Sequence, residues 1–302
     1  MKTIKIDTTE PTRLDKAVSD RLELSRSQIQ KAIKSGQILV DGIPAKVSER
    51  VTAENKIEYD PKILKPKAKS KKKPPKLKII YEDDDVIAIN KPSGLLVHET
   101  ETSTDPTLVD SLLEYNKSIA SVGDDPKRAG IVHRLDKEVS GVMIAAKTQE
   151  AFEHLKQHFK DRKVEKHYTA LVFGVMEDEH GTIDLPISRS KTHGGRMAAR
   201  PTGQEGRKAV THFEVTERFN HHTLLDVKIE TGRTHQIRVH LFSQGYPIVG
   251  DKIYKQRGQK HAKIDRIFLH SRELTIKLPS GETKTFSAPI PAKLKDFLKT
   301  IK

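Results

Sequence analysis

The run PKILKPKAKSKKKPPKLK at residues 61–78 decides the architecture before any element is placed. Lysine and proline dominate it, no apolar period survives, and its like charges repel, so it reads as an extended connector. Such a connector can be a solvated spacer, an arm that touches phosphates, or both. It divides the 302 residues into a small N-terminal unit (residues 1–62), a linker (63–77) and a remainder (78–302) of catalytic size.

The connector's lysines belong to a wider excess. Lys and Arg number 55 against 41 Asp and Glu, a formal charge of +14, which favours a polyanionic partner. No long basic amphipathic helix with an aromatic face is present, so nucleic acid is preferred over an anionic membrane; lysine serving solubility alone is the blander alternative. No stretch approaches the roughly 18 apolar residues that span a bilayer. Met1–Asp7 lacks the apolar core of a signal peptide, and cytoplasm is the expected compartment. The chain has no cysteine, which excludes disulfides, thiolate catalysis and Cys-based zinc sites.

The first unit is readable in outline. Thr12 is placed to cap a helix carrying Leu14, Val18 and Leu22 on one stripe. Ser25 with Gln28 three residues on forms a capping-box pattern for a second helix, which buries Ile29 and Ile33 and stops at Gly36. Ile38-Leu39-Val40 then meets the hairpin signal Asp41-Gly42. Arg13, Lys16, Arg26, Lys31 and Lys34 remain on the polar faces as candidate RNA contacts. RLD and LSRSQ within residues 12–58 resemble the S4-type RNA-binding domain.

In the remainder, IIYEDDDVIAINKPSGLLVH reads as strand, acidic turn and strand. Short strands recur through 164–187, 209–230 and 267–287, and helical periods appear at 107–116, 149–162 and 234–244. Strands outnumber helices and come in consecutive pairs, so the class is α+β with a largely antiparallel sheet. In GIVHRLDKEVSGVMIAAKT, residues 130–148, Gly130–Val132 and Gly141–Ala146 read as buried strands around His133, Arg134 and Asp136. A turn between buried strands can present one carboxylate with little freedom, as catalysis requires, although Asp in a turn also commonly caps backbone amides.

Residues 230–254, ETGRTHQIRVHLFSQGYPIVGDKIY, place a helix after Gly232, with Thr234 as its cap and Gly245 at its end. Ile237, Leu241 and Phe242 are expected to face inward. Arg233, His235, Gln236 and Arg238 gather at the first turn, where arginines and free amides suit phosphate or carboxylate recognition. His235 and His240 lie five apart, off the spacing of a helical metal pair, and no metal site is expected. The segment 187–209, rich in Gly and Arg, reads as a mobile basic loop touching RNA phosphates, or as plain surface.

NKPSGLLVH, GIVHRLDKEVSGVMIAAKT, VEKHYTALVFG and TGRTHQIRVHLFSQGYPIVGD resemble, in order and spacing, the motifs of the RluA/RluD family of pseudouridine synthases, and the likeness extends over most of 78–291. It implies the pseudouridine synthase fold, a mixed and bent sheet with flanking helices around a central RNA cleft, beside a small α+β S4-like domain. It implies that Asp136 is the catalytic aspartate, that Arg134 replaces an extruded uridine in the RNA helix, that Tyr168 lies against the target base, and that Arg238 pairs with the catalytic carboxylate. The family's LD..TSG reads LDKEVSG here, so Val139 replaces a threonine and a local turn hydrogen bond is in question.

These residue types suit the reaction. Cutting the N1 glycosidic bond, rotating the base and rejoining C5 needs no cofactor, metal or redox partner, and a carboxylate can attack, stabilise a cationic sugar carbon or take a proton. A guanidinium beside it favours its ionised form in a dry pocket. Tyr168 offers a π face, with its phenol open as acid or base, or is simply a core aromatic; His133 is assigned an RNA-positioning or phosphate contact. The expected enzyme is a cytoplasmic monomer acting on structured RNA, foremost large-subunit ribosomal RNA or pre-ribosomal particles. Transfer RNA is the second substrate, and a non-catalytic RNA chaperone or assembly factor, which would leave Asp136, Tyr168 and Arg238 unexplained, is the competing class. A methyltransferase would need a Gly-rich cofactor loop that is not evident.

Overall fold

The computed structural model describes residues 1–8, 10–64, 72–100, 103–190, 195–201, 203–256, 258 and 262–301. The chain divides into two compact units, Met1–Ser70 with Thr100–Thr104, and Lys71–Glu99 with Asp105–Lys302. The middle of the lysine/proline connector, 65–71, lies outside the described residues.

The first unit runs β1 (Lys2–Ile4), β2 (Thr12–Arg13), α1 (Leu14–Leu22), α2 (Arg26–Lys34), β3 (Ile38–Val40), β4 (Ile43–Pro44), β5 (Arg50–Val51) and β6 (Ile57–Tyr59). Leu14, Val18, Ile29, Ile33, Ile38 and Ile57 fill its core. The capping box forms as expected: Gln28 N donates to Ser25 Oγ at 3.3 Å, and Ser25 N donates to Gln28 Oε1 at 2.9 Å. Asp41 and Gly42 adopt φ of 52° and 79°, the left-handed pair that a two-residue hairpin requires.

Helix α1 starts differently from expectation. Thr12 is committed to pairing with Val51, its hydroxyl donates back to Glu10 O, and Arg13 occupies the cap position without a side-chain capping bond. Asp15, with a fully buried side chain, is the organising group. It accepts from Arg13 at 3.0 Å, Arg26 at 3.0 Å and Gln30 at 2.5 Å. Burial opposes its charge, but these hydrogen bonds outweigh that and hold the carboxyl well below the usual range.

The second unit runs β7 (Ile79–Glu82), β8 (Val86–Lys91), α3 (Leu108–Tyr115), β9 (Ser140–Ala146), α4 (Gln149–Lys160), β10 (Glu165–Phe173), β11 (His180–Asp184), β12 (Ile187–Arg189), β13 (Met197–Ala199), β14 (Val210–Phe219), β15 (His222–Ile229), α5 (Gln236–Ser243), β16 (Leu269–Lys277), β17 (Thr283–Ser287) and α6 (Ala292–Ile301). A nine-stranded sheet is ordered β11-β14-β15-β10-β16-β9-β8-β7, with β17 also on β16. All its pairings are antiparallel except β16 with β9, and there only His270↔Ser140 and Ser271↔Gly141 pair. From Glu273 onward β16 pairs with β17 instead, so the sheet forks where β9 begins.

All seven residues of β9 are buried. Met143 and Ala145 enter one core cluster, whereas Val142, Ile144 and Ala146 enter the other, which explains a continuous apolar run in place of an alternating one. Gly130–Val132 is not a strand: Ile131 makes a single bridge to Ala145, and Ile131 and Val132 are only half-buried. Helix α6 was not foreseen, although Leu294, Phe297, Leu298 and Ile301 carry a helical period onto the core. The basic segment 187–209 is not a plain loop. It contains the β12–β13 hairpin, pinned by Ile187 and Met197 against Val239 and Tyr254; residues 191–194 and 202 lie outside the described residues.

Candidate active site

Asp136 occupies the turn that feeds β9 at the sheet fork. Val139 N donates to Asp136 O at 3.2 Å, and the Val139 side chain is buried beside Leu135 in the core. Valine in place of threonine therefore leaves the turn closed by backbone alone.

The loop after β8 grips this turn from beneath. Gly94 N and Lys91 Nζ donate to Lys137 O at 2.7 and 3.2 Å, and Ser93 Oγ donates to Glu138 O. Lys91 is fully buried, and its ammonium also reaches Pro92 O at 2.9 Å and Leu95 O at 2.8 Å. Burial pulls its pKa down to about 7, against the opposing pull of Asp136 and Glu138.

Past the turn, Gly141 has φ of +121°, and a Cβ there would meet Ser271 O at 2.0 Å. Only glycine lets β9 approach β16 so closely. His270 Nε2 donates to Ala288 O at 3.0 Å, leaving Nδ1 to accept from Ser140 Oγ at 2.8 Å. Arg266 donates to the same Oγ at 2.7 Å.

Arg238 arrives from α5 and is 2% exposed. Its Nη1 donates to Asp136 Oδ2 at 3.1 Å, while Nε and Nη2 form a fork on Asp251 at 2.7 and 2.9 Å. Asp251 Oδ1 also accepts the amides of Ile253 at 2.8 Å and Tyr254 at 3.1 Å. The Tyr254 ring covers the guanidinium at 5.3 Å. Burial opposes the charge on Arg238, but the carboxylates of Asp251 and Asp136 raise its pKa above the ordinary value. The two carboxylates differ in access: the Asp136 side chain is 16% exposed and that of Asp251 is sealed at 0%.

Tyr168 follows the β-bulge between His167 and Tyr168 on β10, a device that re-aims side chains. It is buried, and its phenol pKa is raised by burial and by the charge of Asp136. The phenol is therefore protonated, which suits a stacking and donor role better than that of a base.

Asp136, Tyr168 and Arg238 border a cleft of about 610 Å³ whose walls carry Arg128, Arg134, Lys160, Arg162, Lys166 and Arg233. Arg134 is exposed and has no hydrogen bond or ion pair among the described residues. Burial lowers Lys166 to about 8 and His98 to about 4.

Two expected RNA contacts line the cleft while also holding bonds within the protein. Gln236 is buried and saturated: its oxygen accepts from Thr231 and Arg233, and its nitrogen donates to Val210 O and Thr211 Oγ1. His133 ties the turn to the sheet, because its Nε2 accepts Ile144 N at 3.0 Å and its ring stacks on Phe159 at 4.5 Å. Burial drives its pKa down to about 3, so it offers phosphate no positive charge. Arg233 and His235 line the cleft too, beside His133 and Gln236. Helix α5 begins at Gln236 after a left-handed His235, without a cap from Thr234, and Phe242 is exposed rather than inward. His240 is buried between Thr211 and Leu185 O. In the first unit, Lys16, Lys31 and Lys34 are exposed, whereas Arg13 and Arg26 hold Asp15. The chemistry of Asp251, Tyr254 and Lys91 escaped sequence reasoning; the available signal for Asp251 was an acid directly after Gly250, whose own Cβ would strike Arg266 O at 2.1 Å.

The sequence models of two families match this chain: RNA pseudouridylate synthase over residues 85–243 and the S4 domain over 12–57. The chain belongs to the RNA pseudouridylate synthase family. Among its relatives, an uncharacterized RNA pseudouridine synthase of Synechocystis is 38% identical over 95% of this chain and 88% of its own. The ribosomal large subunit pseudouridine synthase D of Escherichia coli is 38% identical over 96% of this chain and 90% of its own. Human RNA pseudouridylate synthase domain containing 1 superposes with a TM-score of 0.61 at 26% identity, covering 73% of this chain and 87% of the human chain.

Proposed function

We propose that this RNA pseudouridine synthase isomerises specific uridines of large-subunit ribosomal RNA in the cytoplasm, acting as a monomer with Asp136 as its catalytic carboxylate. The observation that carries this reading is Asp136 itself: one accessible carboxylate on a rigid turn, bonded at 3.1 Å to a buried arginine and facing a cleft walled by cations. The ribosomal target rests on likeness to relatives named ribosomal large subunit pseudouridine synthase D. The S4 domain supports a second RNA grip, through Lys16, Lys31 and Lys34.

In this reading Arg134 refills the gap left by the extruded uridine, offsetting the few kcal/mol of unstacking. Tyr168 supports the flipped base. Asp136 meets the electron-deficient sugar carbon as the C1′–N1 bond breaks. The base turns, C5 bonds to C1′, and the proton lost from C5 is balanced by one gained at N1. Release of tritium from C5-labelled uridine in a large-subunit ribosomal RNA transcript, without any added cofactor, tests the assignment. Release from labelled transfer RNA alone would move the target, and full turnover by Asp136→Asn would remove the catalytic role.

A further inference from the structure

Four non-glycine residues with positive φ occur among the described residues, and two of them, Arg162 and His235, line the cleft. Asp41 is explained by its hairpin and Glu23 by the end of α1. His235, at φ 58° and ψ 20°, has neither asparagine's local hydrogen bonding nor glycine's freedom, and such a conformation costs on the order of 1–3 kcal/mol. What the strained backbone achieves is placement. The ring stands edge-on to Tyr254, centroids 5.5 Å apart at 81°, with Nε2 3.9 Å from Asp136 Oδ2.

The hydrogen bonds around the ring fix its tautomer. Met197 N donates to the Tyr254 hydroxyl oxygen at 2.9 Å, and that hydroxyl lies 2.9 Å from His235 Nδ1. The oxygen already accepts an amide, so the complementary arrangement has the phenol donate its proton to Nδ1. A neutral ring must then carry its hydrogen on Nε2, and burial, the largest influence on this imidazole, favours the neutral form. At 3.9 Å the Nε2–H is not bonded to Asp136, so it is an oriented and uncommitted donor. Two neighbours are committed: Arg238 to Asp136 and Asp251, and Gln236 to four partners.

We infer that His235 Nε2–H, held by the Tyr254 hydroxyl, donates a hydrogen bond to a carbonyl oxygen of the uracil while the base is detached from the sugar. When C1′–N1 breaks, the bonding pair stays on uracil and spreads from N1 to the O2 and O4 carbonyls, while Asp136 faces C1′. A fixed neutral donor stabilises that spreading charge and can release it when C5 attacks, because no proton is transferred to it. Tyr254 is a positioning residue in this scheme. The inference rests on Asp136 being the catalytic carboxylate, and Asp136→Asn is included to separate the two.

The test uses the full chain with a C5-tritiated large-subunit ribosomal RNA transcript, measuring single-turnover rate, RNA Kd and Tm. His235→Ala should slow the single-turnover step by about 100-fold, the usual loss of one donor at a developing oxyanion, with Kd unchanged. His235→Asn, which accepts the left-handed backbone but is too short to reach, should be as slow as alanine with wild-type Tm. His235→Gln should recover part of the rate, and Tyr254→Phe should lose rate at unchanged Kd. Wild-type rates in His235→Asn, or a loss confined to Kd and its salt dependence, would overturn the inference. So would a folded Tyr254→Phe enzyme at full rate, which covers the case of an unstable His235 variant. If Asp136→Asn is inactive while His235→Asn is not, the inference alone fails; if Asp136→Asn is active, the reading beneath it fails.

Discussion

Arg238 holds two aspartates, and the same substitution in each should have opposite consequences. Asp251 is sealed and carries a fork from Arg238 plus two backbone amides. In Asp251→Asn the amide NH₂ must face a guanidinium N–H or abandon the Ile253 and Tyr254 amides, so one buried donor pair is opposed in either orientation. Breaking a buried pair costs roughly 3–5 kcal/mol. Arg238 keeps its bond to Asp136, which places the expected loss near 3 kcal/mol and lowers the melting temperature of the catalytic unit by roughly 6–12 °C. Activity should fall as well, since an arginine released from the fork no longer presents Nη1 to Asp136 at a fixed angle. In Asp136→Asn only one bond to Arg238 changes, at a partly exposed side chain, so the melting temperature should move by a few degrees at most while tritium release is abolished. Thermal melts and single-turnover tritium release on both variants check the contrast. An Asp251→Asn protein with wild-type Tm, or an Asp136→Asn protein that is active but unstable, would refute the division of labour between the two carboxylates.

Further outcomes follow from the same geometry. Gly141→Ala drives a Cβ to 2.0 Å from Ser271 O and should cost roughly 4 kcal/mol or more, visible as loss of soluble protein or a collapsed denaturation midpoint. Arg134→Ala should impair modification of a stacked uridine more than of one already unstacked in a loose loop, as paired single-turnover assays would show. His133 and His98 have pKa values depressed to about 3 and about 4, so the unfolded chain binds protons near pH 6.5 that the fold refuses. Stability of the catalytic unit should therefore fall as pH drops from about 6.5 towards 4, and His133→Gln, which keeps an acceptor for Ile144 N, should flatten that slope in urea titrations. Asp15 has the opposite history, a carboxyl pKa held below its ordinary value. Its contribution is complete above about pH 4 and lost on further acidification, which hydrogen exchange in α1 and α2 would register in the parent and not in Asp15→Asn.

How much of this was legible depended on whether the relevant physics was local. The capping box of Ser25 and Gln28, the Asp41-Gly42 turn and the apolar run of β9 were readable because each rests on neighbours in sequence. The HRLD turn, Arg238 and Tyr168 were singled out through resemblance, and the structure brings them to one cleft. What could not be read were bonds closed over long separations. Nothing near Gln236 announces that it will be saturated by Val210 and Thr211, and nothing near His133 shows that Ile144 will claim its nitrogen. Both are polar residues in a motif rich in functional groups, and only tertiary partners separate a supporting side chain from one facing the substrate.

The same distinction explains why HRLDKE can carry so many ionisable groups beside a buried strand. Its carbonyls and its side chains serve different ends. The carbonyls of Lys137 and Glu138 are held by Lys91, Ser93 and Gly94, so the turn is fixed through its backbone. With its backbone fixed, the turn leaves Asp136 with one partner and partial exposure and leaves Arg134 with none. Position and availability are normally in conflict, because every bond that orders a side chain also occupies it. Here ordering is delegated to the backbone and to the sealed Asp251, which keeps Arg238 in place while Asp136 stays open to the cleft. The sheet fork makes this possible: strand β9 begins where β16 releases β17, so the turn stands at a break in the sheet with ladder on both sides and open cleft in front.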